Sequence, residues 1–323
     1  MEQQETSSLD HFWFRGDVRV QLLDWIDAAL LEDRAVQDLT ARLFQGQKEQ
    51  FCRGVISARQ KGVVCGTAAM CAVFERLDPE CQIRSRLSDG ESVATGTEIM
   101  TLDGPAPVLF AGERIALNIC AHLSGIATRT SQLVERVTGA AIYDTRKTIP
   151  GLRSFQKQAV RSGGGVSHRA DLAEFPMVKE NHREWIQTLN PDLVGDPLAE
   201  MDFIQKTFRD GGFEGPLAIE VEDEQSFQAC LSHEIEIILV DNTDPHELEL
   251  WIERARQSGL TVRPEQIEAS GGIDESTVGA YGAAGAGRIS SGAITHSAKA
   301  LDLTMYVAAK EKFIGETDRG GTS

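Results

Sequence analysis

Long apolar runs are missing from this chain of 323 residues, and no stretch would cross a bilayer as a helix. Cysteine is sparse and unpatterned. Six cysteines run from Cys52 to Cys230 without a C-x-x-C pair, and no histidine stands beside them at zinc-ligand spacing. Reduced thiols are therefore expected, and with them a reducing compartment, the cytoplasm. The opening MEQQETSSLDHFWF has no basic patch ahead of an apolar run, so no secretory leader is expected. Positive charge is scarce: 32 Lys and Arg face 49 Asp and Glu, a net charge of −17. Such a surface repels nucleic acid and anionic lipid, which argues against both as partners. A P-loop, a Ser-His-Asp arrangement and a G-x-G-x-x-G after a strand are all absent.

What is present is ordinary globular composition, 41% hydrophobic and 25% charged, in a chain long enough for two domains. Val18 to Leu31 carries apolar residues at near-helical spacing (Leu22, Trp25, Ile26, Ala29, Leu30). Residues 51–110, punctuated by glycines, read as β-rich. Gly112 to Val137 reads as a long helix with a possible break at Gly125. Beyond it, short apolar runs alternate with helical ones, the pattern of a βα array. Pro150 suits a helix start, Gly163–Gly165 its end, and Asp244-Pro245 the cap and first turn of another. The tail Gly315–Ser323 is expected to be disordered.

Polar residues fall at one end of each apolar run. The runs end at Asp144–Lys147, Lys179–His182, Glu220–Glu222, Asp241-Asn242, Ser270–Gly272 and Ser291–Ala293. In a parallel barrel these positions share the carboxyl-end face, where active sites are built. Charge is biased in the same region. Asp144 to His182 holds seven basic residues against four acidic ones, a local balance of 7 − 4 = +3 in a strongly acidic chain. Arg146 offers a fork for a carboxylate, and Lys147 a point charge for phosphate; Arg169 and Lys179 add to the field. Glu220 and Asp241 suit a Mg²⁺ ion that keeps waters and bridges phosphates, although Glu222 is placed to serve instead of Glu220. Ser270, Gly271 and Gly272, and Ser290, Ser291, Gly292 and Ala293, open helical stretches and suit phosphate. His168 is placed to donate to an anion or to cap a strand, whereas His182 and His296 are expected to be structural. These residues point to a barrel that binds a carboxylated ring and a Mg²⁺–phosphate compound, with catalysis by position and electrostatics.

The stretches GERIALNICAHLSGIATRT, DTRKTIPGLRSFQKQAVRSGGGVSHR, VKENH, IEVED, IILVDN, IEASGGI and ISSGAITHSAKALDLTM resemble the quinolinate phosphoribosyltransferase family, in that family's order from Gly112 to Met305. LLEDRAVQDLT resembles its N-terminal acidic motif more loosely. The resemblance implies an α/β protein of the type II phosphoribosyltransferase fold. An N-terminal α/β sandwich domain (1–125, with 300–323 packing back on it) would precede an open (β/α) barrel (126–299). It implies transfer from phosphoribosyl pyrophosphate to quinolinate, giving nicotinate mononucleotide, pyrophosphate and CO₂ with Mg²⁺, in a homodimer. Arg146, Arg169 and Lys179, with His168 nearby, would bind the quinolinate carboxylates, and Arg114 would reach in from the neighbouring subunit. Lys147, Glu220 and Asp241 would hold the metal–donor complex, and the two Ser-Gly turns its phosphates. Departures from the family stand at Ser167, Ala170-Asp171, Gly287 and Ser291, and the 183–219 segment is longer than usual; these bear on which pyridine acid is accepted. The readings weighed against this one are a paralogue for another aromatic acid, a catalytically silent binding protein, and a Schiff-base aldolase built on Lys179.

Overall fold

The computed structural model describes residues 9–44 and 51–309. The expected tail at Gly315–Ser323 lies outside the described residues. The chain forms two compact units, one of residues 1–131, 154–164 and 298–323, the other of residues 132–153 and 165–297.

In the first unit, helix α1 (Gly16–Glu32) buries Val18, Leu22 and Ile26, the stripe that the helical spacing predicts. Strands β1 (Phe51–Ala58), β2 (Gly62–Val63), β3 (Gln82–Ser85), β4 (Ser92–Val93) and β5 (Glu98–Pro105) follow, with helix α2 (Thr67–Leu77) between β2 and β3. The β-rich reading of 51–110 therefore missed a helix. TAAMCAVFERL carries no local capping side chain. Asp89, distant in sequence, does the capping instead, accepting from the Gly66 and Thr67 backbone N–H groups at 2.9 and 3.1 Å. Helix α3 (Ala106–Val134) runs unbroken through Gly125. The glycine is there for clearance: a Cβ would stand 2.2 Å from the Lys299 carbonyl oxygen. A last strand, Leu303–Ala309, pairs antiparallel with β1 and completes a four-stranded sheet in which β1 and β5 are central. Helix α4 (Arg153–Ser162) belongs to this unit from Ser154 onward.

The second unit is a six-stranded, all-parallel sheet. Its strands are β6 (Ala141–Tyr143), β7 (Met177–Val178), β8 (Ala218–Val221), β9 (Ile237–Asp241), β10 (Ile267–Ser270) and β11 (Arg288–Ser290). Their order is β6-β11-β10-β9-β8-β7, so β6 and β7, neighbours in sequence, form the two edges. The barrel is open between them. Residue Val166 partly lines that gap: it bridges Tyr143 in parallel, and its N–H donates to the Ile142 carbonyl at 2.7 Å.

Alternation along the strands sorts the side chains. Ile219, Val221, Ile238, Val240, Ile267 and Ile289 are buried on the helix-facing side. Glu220, Asp241, Glu268, Ser270 and Ser290 occupy the other face. The long 183–219 segment folds as helices α5 (Glu180–Leu189) and α6 (Pro197–Asp210). They are fastened by a fork in which Arg183 Nε and Nη2 donate to Glu200 at 3.1 and 2.8 Å, Glu200 being 1% exposed. Helices α7 (Glu224–Ser232) and α8 (Pro245–Gln257) start at Asp223 and Asp244, whose carboxylates accept from the Ser226 and His246 N–H groups at 2.8 and 2.9 Å.

Candidate active site

The carboxyl ends of the six strands surround a cavity of about 390 Å³, all of it within the second unit. Asp144, Arg146, Lys147, His168, Arg169, Lys179, Glu220, Asp241, Ser270 and Ser290 line it. The basic island and the acidic strand ends, far apart in sequence, thus meet in one place.

Two guanidiniums dominate one side. Arg146 stands on the turn after β6, and its Nε is buried without a hydrogen-bond partner. Arg169 is 8% exposed; its Nη1 donates to the Phe175 carbonyl at 2.9 Å and its guanidinium lies over the Phe175 ring, 5.8 Å from the centroid. Burial pushes the Arg169 pKa down, and the neighbouring charge of Arg146 pushes it the same way; Asp171 and Glu174 oppose the shift without cancelling it. Crowded cations of this kind are ready for an anion.

Lys179, at the end of β7, makes a close ion pair with Glu220 at the end of β8. Glu220 also accepts from the Glu180 N–H at 3.3 Å. His182 Nδ1 accepts from the Lys179 N–H at 2.9 Å and closes the first turn of α5. Asp241 accepts from the Asn242 side chain at 2.7 Å. Burial raises the Glu222 carboxyl above the usual carboxylate range, and the charges of Glu180, Asp241 and Glu220 raise it further against Arg183. The ends of β8 and β9 thus hold an excess of negative charge.

The two Ser-Gly turns differ in how they meet the cavity. Ser270 and Ser290 line it. Gly271 has φ +91°, and a Cβ there would stand 2.2 Å from Asn242 Oδ1, so the loops after β9 and β10 touch backbone to side chain. Ser291 is buried, its hydroxyl donating to the Ile273 carbonyl at 3.1 Å. The helices these turns open are short, Val278–Ala283 and Ala293–His296. Arg114 lies in the first unit on α3 with a 67% exposed side chain, 3.7 Å from Glu113.

Sequence reasoning passed over Glu268, which lines the cavity, and Arg288 and Tyr143, which stand behind it. Glu268, fully buried on β10, lines the cavity. His168 Nε2 lies 3.2 Å from its Oε2 and 3.1 Å from its Oε1. Arg288 Nε donates to Oε2 at 2.8 Å, Arg288 Nη1 donates to the Tyr143 hydroxyl at 3.1 Å, and the guanidinium lies 3.9 Å over the Tyr143 ring. Burial alone would raise the Glu268 carboxyl. The hydrogen bond from His168 and the charge and hydrogen bond of Arg288 outweigh it and hold the group below the usual range. The available signal was a lone glutamate inside IEAS, a strand otherwise built to be buried. His168 Nδ1 accepts from the Arg169 N–H at 2.8 Å, so both ring nitrogens have partners in the chain.

Comparison with known proteins gives this site its setting. The family model described as quinolinate phosphoribosyl transferase, C-terminal domain, matches residues 126–306, and the one for the N-terminal domain matches residues 38–124. A Bacillus subtilis protein named probable nicotinate-nucleotide pyrophosphorylase [carboxylating] is 33% identical over 299 residues, 92% of this chain and 97% of its own length. A Mycobacterium leprae protein named nicotinate-nucleotide pyrophosphorylase [carboxylating] is 34% identical over 254 residues, 77% of this chain and 84% of its own. Among solved structures, NadC from Streptococcus pyogenes superposes with a TM-score of 0.78 at 31% identity, covering 90% of this chain and 97% of that one. On fold, strand-end chemistry and sequence together, this chain belongs to the quinolinate phosphoribosyltransferase family.

Proposed function

We propose that the chain transfers the phosphoribosyl group of phosphoribosyl pyrophosphate to quinolinate, releasing pyrophosphate and CO₂ and forming nicotinate mononucleotide for NAD biosynthesis. The observation that carries this reading is the crowded pair Arg146 and Arg169, one with a buried unpartnered N–H, the other with a depressed pKa, opening on the same cavity as Lys179. A planar dicarboxylate meets all three needs at once.

In this reading Arg146, Arg169 and Lys179 grip the two ring carboxylates and hold the ring nitrogen toward the ribose. His168, its nitrogens already engaged, shapes the pocket wall. Lys147 and the turns at Ser270–Gly272 and Ser290–Ala293 take the donor's phosphates. The pyridine nitrogen forms the bond to the ribose carbon as the bond to pyrophosphate breaks, the electron pair leaving with pyrophosphate. The ring carboxylate next to that nitrogen then departs as CO₂, and the carbon it leaves takes a proton. Positive side chains hold the acceptor, and the carboxylates of Glu220 and Asp241 face the cationic ribosyl group, so the charge that develops in the transition state is met in place.

Glu220 and Asp241 suit Mg²⁺. Carboxylates gather at their strand ends, where the charges of Glu180, Asp241 and Glu220 add to burial in raising the Glu222 carboxyl. Among the described residues no group of three His, Cys, Asp or Glu side chains converges, so an ion at Glu220 and Asp241 would have to take its remaining ligands from water and phosphate. Bound there, Mg²⁺ would offset charge on the departing pyrophosphate. The homodimer belongs to the same proposal, with the exposed Arg114 offered to a partner's cavity. So does a cytoplasmic location, supported by six free cysteines. Among the described residues no helix is long and apolar enough to cross a membrane. An aldolase role for Lys179 is disfavoured by its pairing with Glu220.

The test is pyrophosphate and CO₂ release with quinolinate, Mg²⁺ and phosphoribosyl pyrophosphate, run beside nicotinate and other pyridine acids. Turnover with quinolinate that is lost in Lys179→Ala supports the reading. Turnover with another acid alone moves the substrate, and no turnover despite donor binding refutes catalysis.

A further inference from the structure

Beneath the cations of the cavity runs a chain of polar contacts that the proposed reaction does not use directly. It starts at the Tyr143 hydroxyl on β6, passes to Arg288 on β11, to Glu268 on β10, and ends at the His168 ring. Strand register makes it possible. Arg288 stands opposite Glu268 in the parallel pairing, and both side chains turn to the barrel interior. The cost of burying the Glu268 carboxylate is offset only because two donors face it.

From His168 the chain reaches the acceptor grip. With Nδ1 accepting from the Arg169 N–H, the ring proton sits on Nε2 and goes to Glu268. The His168 ring packs 5.5 Å from the Phe175 ring, and Phe175 supplies both the carbonyl and the ring face that hold the Arg169 guanidinium. The backbone and the head of Arg169 are thus both referred to His168. Arg288 itself does not line the cavity.

We propose that Arg288 is a positioning residue for the acceptor: it fixes Glu268, through Glu268 the tautomer and ring plane of His168, and through His168 and Phe175 the aim of Arg169. The inference rests on the reading that Arg169 grips an acceptor carboxylate. A planar fork is required, because Nε serves Glu268 while Nη1 serves Tyr143. Lysine would keep the charge and serve one partner.

Steady-state kinetics of the full chain test this, with the acceptor and the donor varied separately. Wild-type turnover of quinolinate stands as the control for the function itself, so its absence would sink the functional reading rather than this one. Arg288→Met should raise the quinolinate KM on the order of tenfold, the effect of a misaimed clamp, and leave the donor KM within about twofold. Adding Glu268→Gln should restore much of the loss, since a neutral amide no longer needs the guanidinium and still accepts from His168 Nε2. Tyr143→Phe, nearly isosteric, should raise the quinolinate KM about twofold to threefold, and it keeps the test alive if Arg288→Met does not fold. Equal changes in the two KM values, an unchanged quinolinate KM in both single variants, or no recovery in the double variant would overturn the proposal.

Discussion

Replacing Arg146 with methionine should make the free protein more stable while ending its use for the acceptor. Methionine matches the length of the arginine stem and removes two unfavourable features. One is the buried Nε–H with no partner, which costs about 1–3 kcal/mol. The other is the like charge that helps depress the Arg169 pKa. For a protein of 323 residues each kcal/mol moves the melting temperature by roughly 1–2 °C, so the free variant should melt a few degrees higher. Quinolinate should reverse the order. At a hundredfold excess over its Kd it adds about 2.7 kcal/mol to the wild type and little to the variant, which lacks the fork. Differential scanning fluorimetry with and without quinolinate reads all four states. A variant that melts below the free wild type, or that quinolinate still stabilises by the wild-type amount, would refute the assignment of Arg146 as a preorganised, strained anion clamp.

Other outcomes follow from the same geometry. Lys179→Met frees Glu220, so Mg²⁺ with phosphoribosyl pyrophosphate should bind more tightly in the absence of acceptor while quinolinate turnover falls at least a hundredfold; calorimetry and the coupled assay check the two halves. Glu268 has a depressed folded pKa, so its share of stability is present above the ordinary glutamate value of about 4.3 and is lost as pH falls through the folded value. Glu268→Gln should therefore flatten the acid limb of a stability–pH curve measured by urea unfolding between about pH 5 and pH 2. Gly271→Ala places a Cβ against Asn242 in a left-handed backbone conformation and should lower both the melting temperature and affinity for pyrophosphate.

Much of the site was legible because a parallel barrel writes its chemistry at strand ends. Charged residues directly after apolar runs flagged Arg146, Lys179, Glu220 and Asp241, and the structure brings them round one cavity. The fold class followed from the family blocks between Gly112 and Met305. What escaped notice was set by contacts between distant residues. Glu268 and Arg288 are 20 residues apart and face one another only through the register of β10 and β11. Helix α2 was hidden because its cap is Asp89 rather than a local residue. The unusual length of 183–219 was visible, but not that a buried Arg183–Glu200 fork would fold it into two helices.

The strict division between helix-facing and cavity-facing positions also bears on how such a barrel can change its diet. Ile219, Val221, Ile238 and Val240 secure the scaffold, while on the alternate positions Met177 and Leu239 line the cavity, and Tyr143 and Arg288 lie behind it in contact with Glu268 or with each other. Selection on one set leaves the other nearly untouched. A library confined to Met177 and Leu239 would vary the cavity wall while the buried helix-facing positions stay constant, so pocket shape and architecture can change separately.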